Sequence, residues 1–176
     1  MPETGLIVEV PEAESVVGEL RMRHDESARL GVPAHITVLF PFMEPAAVSD
    51  SVLAALGRLF FSIKPFRFRL ASVGRFPATS YLEPRPAQPF ISLTEAVVQA
   101  YPMFAPFAGE FPTIIPHLTV AHGNAAEAEI AGQAVASALA SIGPIESVCR
   151  SVVLMENSSG RWRRMHEFAL TADPDT

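Results

Sequence analysis

The chain has 176 residues, 49% of them hydrophobic and 18% charged, with 13 basic against 19 acidic side chains and a net charge of −6. A chain this long fits one domain or two fused lobes, and it can bury about 70% of its unfolded surface without disulfide or metal staples. The apolar content excludes a disordered chain, and no run reaches the roughly 18 apolar residues of a membrane span. Met1-Pro2-Glu3-Thr4-Gly5 carries no basic stretch, so no secretory signal is expected. The single Cys149 excludes an internal disulfide and a Cys-rich zinc cage. A reducing, cytoplasmic setting is expected. The acidic balance argues against coating long nucleic acid, which needs many phosphate contacts. It leaves room for a small or local anionic substrate: residues 61–111 are net +2, while the segments before and after are −5 and −3.

Taken in order, Leu6–Val10 reads as a short strand ended by Pro11. Glu12 to about Leu30 reads as one helix with Val17, Leu20, His24 and Ala28 on one face, stopped by Gly31 and Pro33. Ala34–Phe40 is a β-rich run. Ser49 can cap a helix to about Phe60, and Phe66–Leu70 alternates like a half-exposed strand. The pattern then restarts. Ser80–Glu83 reads as a strand, and Ser92-Leu93-Thr94-Glu95 has capping-box form and opens a helix to Tyr101. Pro116–Ala121 is a second β-rich run behind a proline. Asn124 and Glu127 open an Ala-rich helix with Ile130, Ala134, Ala138 and Ile142 on one side, ended by Gly143-Pro144. Val148–Met155 and Trp162–Leu170 read as strands joined by the turn Asn157–Gly160. The order strand, helix, His-x-Thr strand, helix, strand thus occurs twice. It predicts a single bilobal α+β domain with largely antiparallel sheets, helices outside and a central groove. The repeats run over about 1–77 and 78–176.

His35-Ile36-Thr37-Val38 and His117-Leu118-Thr119-Val120 share one grammar, 82 residues apart. Strand side chains alternate faces, so each His shares a face with its Thr while the apolar partners face a core. Either copy alone is an ordinary strand with one wet face. Two copies in matching contexts, each behind a proline, are not explained by sheet propensity. If the lobes pack with pseudo-twofold symmetry, the two His/Thr pairs meet across a groove. Imidazole titrates near neutral pH, so one can take a proton while the other gives one. Phosphodiester cleavage needs both actions, and threonine hydroxyls can donate to the non-bridging phosphate oxygens. No metal and no cofactor is required.

In this duplicated context the motifs resemble the 2H phosphoesterase superfamily, most closely its 2′-5′ RNA ligase-like branch. The resemblance is carried by Gly31–Phe42, by Val73-Gly74-Arg75-Phe76-Pro77, by Pro116–Ala121 and by Gly160-Arg161-Trp162, and so spans nearly the whole chain. It implies a bilobal fold and metal-independent chemistry on 2′,3′-cyclic, related cyclic or 2′-5′ phosphodiesters of nucleotides or RNA ends. It also implies catalytic His35 and His117 and phosphate-binding Thr37 and Thr119. The chain departs from some bacterial ligase-type members at His122, where they carry Arg. A lost guanidinium weakens the grip on a phosphate-rich RNA end.

Further candidate substrate contacts are Tyr81, a base-stacking candidate whose default reading is an ordinary strand aromatic, Arg75, a phosphate-steering candidate, and His122, whose default reading is an exposed His at a strand end. On a straight strand His122 faces away from His117, five residues earlier. Solvated charge is the default for Arg75 and for the arginines at 161, 163 and 164. His24 and His166 read as structural, and Cys149 as a buried thiol. The leading expectation is a cyclic phosphodiesterase acting as a monomer on a small cyclic nucleotide or RNA end, away from membranes. The alternatives are a reversible 2′-5′ RNA ligase on the same residues and a catalytically silent nucleotide- or RNA-binding module. A metal hydrolase lacks an accompanying carboxylate cluster.

Overall fold

The structure, a computed structural model, describes residues 1–171; residues 172–176, the tail of the second expected repeat, lie outside the described residues. The elements are β1 (Thr4–Glu9), α1 (Glu14–His24), α2 (Glu26–Arg29), β2 (His35–Leu39), α3 (Asp50–Phe61), β3 (Phe66–Phe76), β4 (Thr79–Arg85), α4 (Gln88–Ala100), β5 (Leu118–His122), α5 (Ala125–Ile142), β6 (Ile145–Cys149), β7 (Ser151–Glu156) and β8 (Arg163–Ala169). The strands form two antiparallel four-stranded sheets, β2-β1-β7-β8 and β5-β4-β3-β6. The two His-x-Thr strands, β2 and β5, are thus equivalent edges of equivalent sheets.

The chain is not divided between sheets where the repeat is. The expected boundary at 77–78 falls in the tight turn between β3 and β4, which pair as a hairpin within one sheet. β7 and β8 return to β1 and complete the other sheet. The expected strand Val148–Met155 is accordingly two strands, β6 and β7, in different sheets. Apolar runs specify that a segment is a strand, not which sheet receives it.

Two helices clasp the sheets together. α1 follows β1 yet packs against β5 and α5, and α4 follows β4 yet packs against β2. Thr94 on α4 donates its hydroxyl to the Val38 carbonyl at 2.7 Å. Glu14 on α1 accepts from the Ala34 backbone N–H at 2.6 Å, and His24 Nδ1 meets Glu127 Oε2 of α5 at 3.1 Å. One contiguous core runs through both sheets, with Leu6, Ile36 and Leu39 on one side and Phe68, Leu82 and Leu118 on the other. Ile36 and Leu118, the residues between each His and Thr, are fully buried. Truncating either to Ala costs about 2–5 kcal/mol.

Three local expectations are corrected. The helix over 12–30 breaks at Asp25, which adopts an extended backbone and caps α2 by accepting from Ser27 N. An Asp side chain that bonds its own backbone competes with helix continuation. α4 starts at Gln88 with Pro89 in its first turn, so Ser92 and Glu95 lie in the helix body and form no capping box. In α5 the buried stripe is Ala128, Ala131, Val135 and Leu139, while Ile130 and Ile142 face solvent. The polar stripe Glu129, Gln133, Ser137 and Ser141 lies opposite the buried one, so the spacing of the polar residues marks the inner face better than the two isoleucines do.

Candidate active site

β2 and β5 lie against one another as sheet edges. On β2, Ile36 and Val38 are buried while His35 and Thr37 are half-exposed; on β5 and the residue before it, Leu118 and Val120 are buried while His117 and Thr119 are half-exposed. The two imidazoles are held identically. His35 Nδ1–H donates to the Pro33 carbonyl at 2.8 Å, and His117 Nδ1–H donates to the Ile115 carbonyl at 2.6 Å. Each acceptor lies two residues upstream, flanking the proline-containing approach to the strand. This bond fixes the tautomer on both rings and leaves Nε2 as the nitrogen that carries the lone pair.

Thr37 stands between two cavities. One, of about 400 Å³, reaches from Thr37 and His117 to α4 and the 106–117 segment. The other, of about 220 Å³, is walled by His35, Thr37, Phe40, Met155 and Trp162. The imidazoles feel each other: positive charge on His117 helps lower the pKa of His35.

The surroundings of the two rings differ. His35 is pushed down to about 4, first by burial and then by the Arg21 guanidinium. Arg21 is only 2% exposed. It donates to Asp25 at 3.1 and 3.0 Å, to Ser27 Oγ at 3.1 Å and to the Val32 carbonyl at 3.1 Å. His117 is lowered by burial and by neighbouring His122. Its ring sits among Phe76 and Tyr81, each 5.3 Å away between centroids, and Phe107 stacks at 6.2 Å. Phe107 and Ala108 both hold left-handed backbone, φ 49° and 53°, a conformation L-residues adopt sparingly. That turn is tied to the residue just after β2, where Phe107 N donates to the Phe40 carbonyl at 2.7 Å.

His122 joins the His117 face. β4 and β5 pair Thr79 with His122 and Ser80 with Ala121, but Tyr81 with Thr119, so β5 carries one extra residue near Val120. Such a bulge reverses the alternation beyond it. Thr79 Oγ1 and His122 Nδ1 are hydrogen-bonded at 2.7 Å. The straight-strand expectation for His122 is therefore corrected.

Two other expected contacts are displaced. Tyr81 is 5% exposed and packs on Phe76 and His117, so it walls the imidazole and offers no open face to a base. Its ring fills the space where a Cβ on Gly74 would stand, which is why glycine is needed there. Arg75 points to the opposite side of its sheet, where it is ion-paired with Glu129 and abuts Gly132 of α5. Strand alternation separates it from Gly74 and Phe76. Arg163 and Arg164 are committed to Glu156 and Glu9. Arg161 lies beside Gly31, whose positive φ and close approach to the Trp162 carbonyl exclude a side chain. His166 is exposed beside Phe168, and Cys149 is buried with its thiol pushed up to about 12 by burial.

The sequence did not single out Arg21, Asp25 or Phe107, and it marked Phe76 only as part of the Val73–Pro77 segment. Arg21 and Asp25 have the i,i+4 spacing of an ordinary surface pair; only the packing of α1 turns that pair inward. Among the described residues, no three His, Cys, Asp or Glu side chains group as metal ligands, and no helix is long and apolar enough to cross a membrane.

Similar folds occur in solved structures. Escherichia coli LigT complexed with 3′-AMP superposes with a TM-score of 0.63 at 18% identity, over 98% of this chain and 100% of that one. A Thermus thermophilus protein gives a TM-score of 0.60 at 18% identity, over 97% and 99%. E. coli LigT complexed with NADP+ gives 0.57 at 20% identity, over 97% and 98%. Curated protein sequences give no match. The 2′-5′ RNA ligase superfamily matches residues 9–161, a span that includes both His-x-Thr strands. With its duplicated motif on matching sheet edges and its LigT-like fold, this chain belongs to the 2′-5′ RNA ligase superfamily, within the 2H phosphoesterases.

Proposed function

We propose that this protein is a metal-independent phosphodiesterase that opens 2′,3′-cyclic or related cyclic or 2′-5′ phosphodiesters of nucleotides or RNA ends. The observation that carries this reading is the matched pair of imidazoles, each with Nδ1 tied to a backbone carbonyl and Nε2 left to work at the groove. In the proposed reaction one Nε2 takes the proton of an attacking water. The other, protonated, gives its proton to the leaving ribose oxygen as the P–O bond breaks. Thr37 and Thr119 donate to the non-bridging oxygens. The depressed pKa of His35 favours it as the proton acceptor in the free protein. A bound phosphodiester, being anionic, raises the protonated fraction of the partner imidazole.

E. coli LigT has been solved with 3′-AMP and with NADP+, which supports a nucleotide-sized substrate. Ligation of 2′-5′ RNA ends, supported by the family description, would use the same residues in reverse. The net charge of −6 and the replacement of a guanidinium by His122 weigh against it.

The test is a turnover screen of 2′,3′-cyclic nucleotides and 2′-5′ dinucleotides with EDTA present. Hydrolysis unaffected by chelation is expected. Activity abolished by EDTA and restored by zinc or manganese would replace proton shuttling with metal catalysis.

A further inference from the structure

The larger cavity has a composition unlike that of a phosphate channel. It begins at Thr37 and His117, is walled by apolar side chains such as Val98, Phe107, Phe111 and Ile114, and ends at α4. Its volume, about 400 Å³, is within the range of small-ligand sites. Among the described residues lining it, Glu95 is the one fixed charge, and no Arg or Lys is present. Glu95 and Gln99 are four residues apart on α4 and share its face. Because α4 begins at Gln88, Glu95 is not spent on a cap, and its carboxylate makes no hydrogen bond or ion pair among the described residues.

Resting on the phosphodiesterase reading, we propose that this cavity receives the nucleobase of the substrate. Glu95 then makes it select a base with two adjacent N–H donors, guanine above the others, and turn away a second phosphate.

A carboxylate only accepts hydrogen bonds, through two oxygens. Guanine presents N1–H beside the N2 amine, a donor–donor pair that fits both oxygens. Adenine and cytosine place an amine beside a ring lone pair, and uracil places one N–H between two carbonyls. Each of these sets a lone pair against the carboxylate. The apolar walls, Phe107 and Phe111 among them, suit a flat heterocycle. A terminal phosphate in the same cavity would meet Glu95 with no cation to offset the repulsion.

The experiment compares kcat/KM for the four 2′,3′-cyclic nucleotides and for guanosine 2′,3′-cyclic phosphate with and without a 5′-phosphate. It uses the wild type, Glu95→Gln and Glu95→Lys. Glu95 is exposed on its helix, so both variants should fold. The wild type should favour guanosine over cytidine roughly tenfold or more, the discrimination of a good bidentate pair. Glu95→Gln should shrink that ratio to within about threefold, and Glu95→Lys should turn the penalty on the 5′-phosphate into a preference. Equal use of all four bases, or a ratio unmoved by Glu95→Gln, would overturn the subsite while leaving the phosphodiesterase standing. If no cyclic nucleotide were turned over, the phosphodiesterase reading would fail. The base ranking would then be read from calorimetric binding of the four nucleoside 3′-monophosphates, where no guanosine preference overturns the subsite as well.

Discussion

The two sheets present the same His-x-Thr edge to the groove but back it with different materials. Behind His35 lies a buried polar network, with Arg21 bridging Asp25, Ser27 and the Val32 carbonyl. Around His117 lies an aromatic wall of Phe76, Tyr81 and Phe107, with a further imidazole, His122, on the same face. The local geometry of each histidine is symmetric; its electrostatics are not. In the proposed reaction this difference would assign the roles, because coupled imidazoles titrate as a pair and their unequal surroundings decide which of the two holds the proton. Burial lowers both rings first; the Arg21 cation adds to this at His35 and His122 adds to it at His117, and neither alters the bond that aims the ring.

The largest effect expected is from breaking the pair itself. His35→Ala or His117→Ala should lower kcat on the true substrate by about 10²–10⁴, the usual worth of a positioned acid or base. Circular dichroism should show an intact fold, since neither imidazole belongs to the hydrophobic core. Near wild-type turnover from either variant would end the catalytic assignment.

Removing the source of asymmetry comes next. Arg21→Met strands Asp25 as a buried unpaired charge and should cost about 3–5 kcal/mol in denaturant unfolding; adding Asp25→Asn should recover part of this. In the double variant the acid limb of kcat/KM should rise only part of the way from about 4, because the Arg21 cation is gone while burial, the larger cause, remains and the raising effect of the Asp25 carboxylate is lost with it. The same shift appears in stability. The folded pKa of His35 lies below its unfolded value, so between about 4 and 6.5 the unfolded chain binds more protons. Wild-type stability should therefore fall as pH drops through that window, and the double variant should fall less. A pH profile unchanged by the substitutions would show that Arg21 does not tune the site.

The smallest effect concerns the hydroxyls. Thr37→Ala and Thr119→Ala each remove one neutral donor to a charged group and should lower kcat/KM by the equivalent of roughly 1.5–3 kcal/mol. Thr37, at the junction of both cavities, should be the more damaging. A larger loss at Thr119 would place the phosphate deeper in the second sheet than the cavities suggest.

What the sequence determined was local and periodic. Alternation placed His35 with Thr37 and His117 with Thr119, and buried Ile36 and Leu118, because strand side chains alternate whatever surrounds them. The repetition of that grammar, with the segments around it, was enough for the family and for an α+β fold of antiparallel sheets. The tertiary structure decided what periodicity does not encode. It sent β3 into the second sheet and β7 into the first, since any apolar strand can pair with any edge of suitable register. It turned His122 to the His117 side through one extra residue in β5, a shift that leaves no mark in composition. It buried Arg21 and spent Arg75 on Glu129, although the sequence shows both simply as arginines. Charge acts through space and burial, and both are set only when the two sheets close on each other.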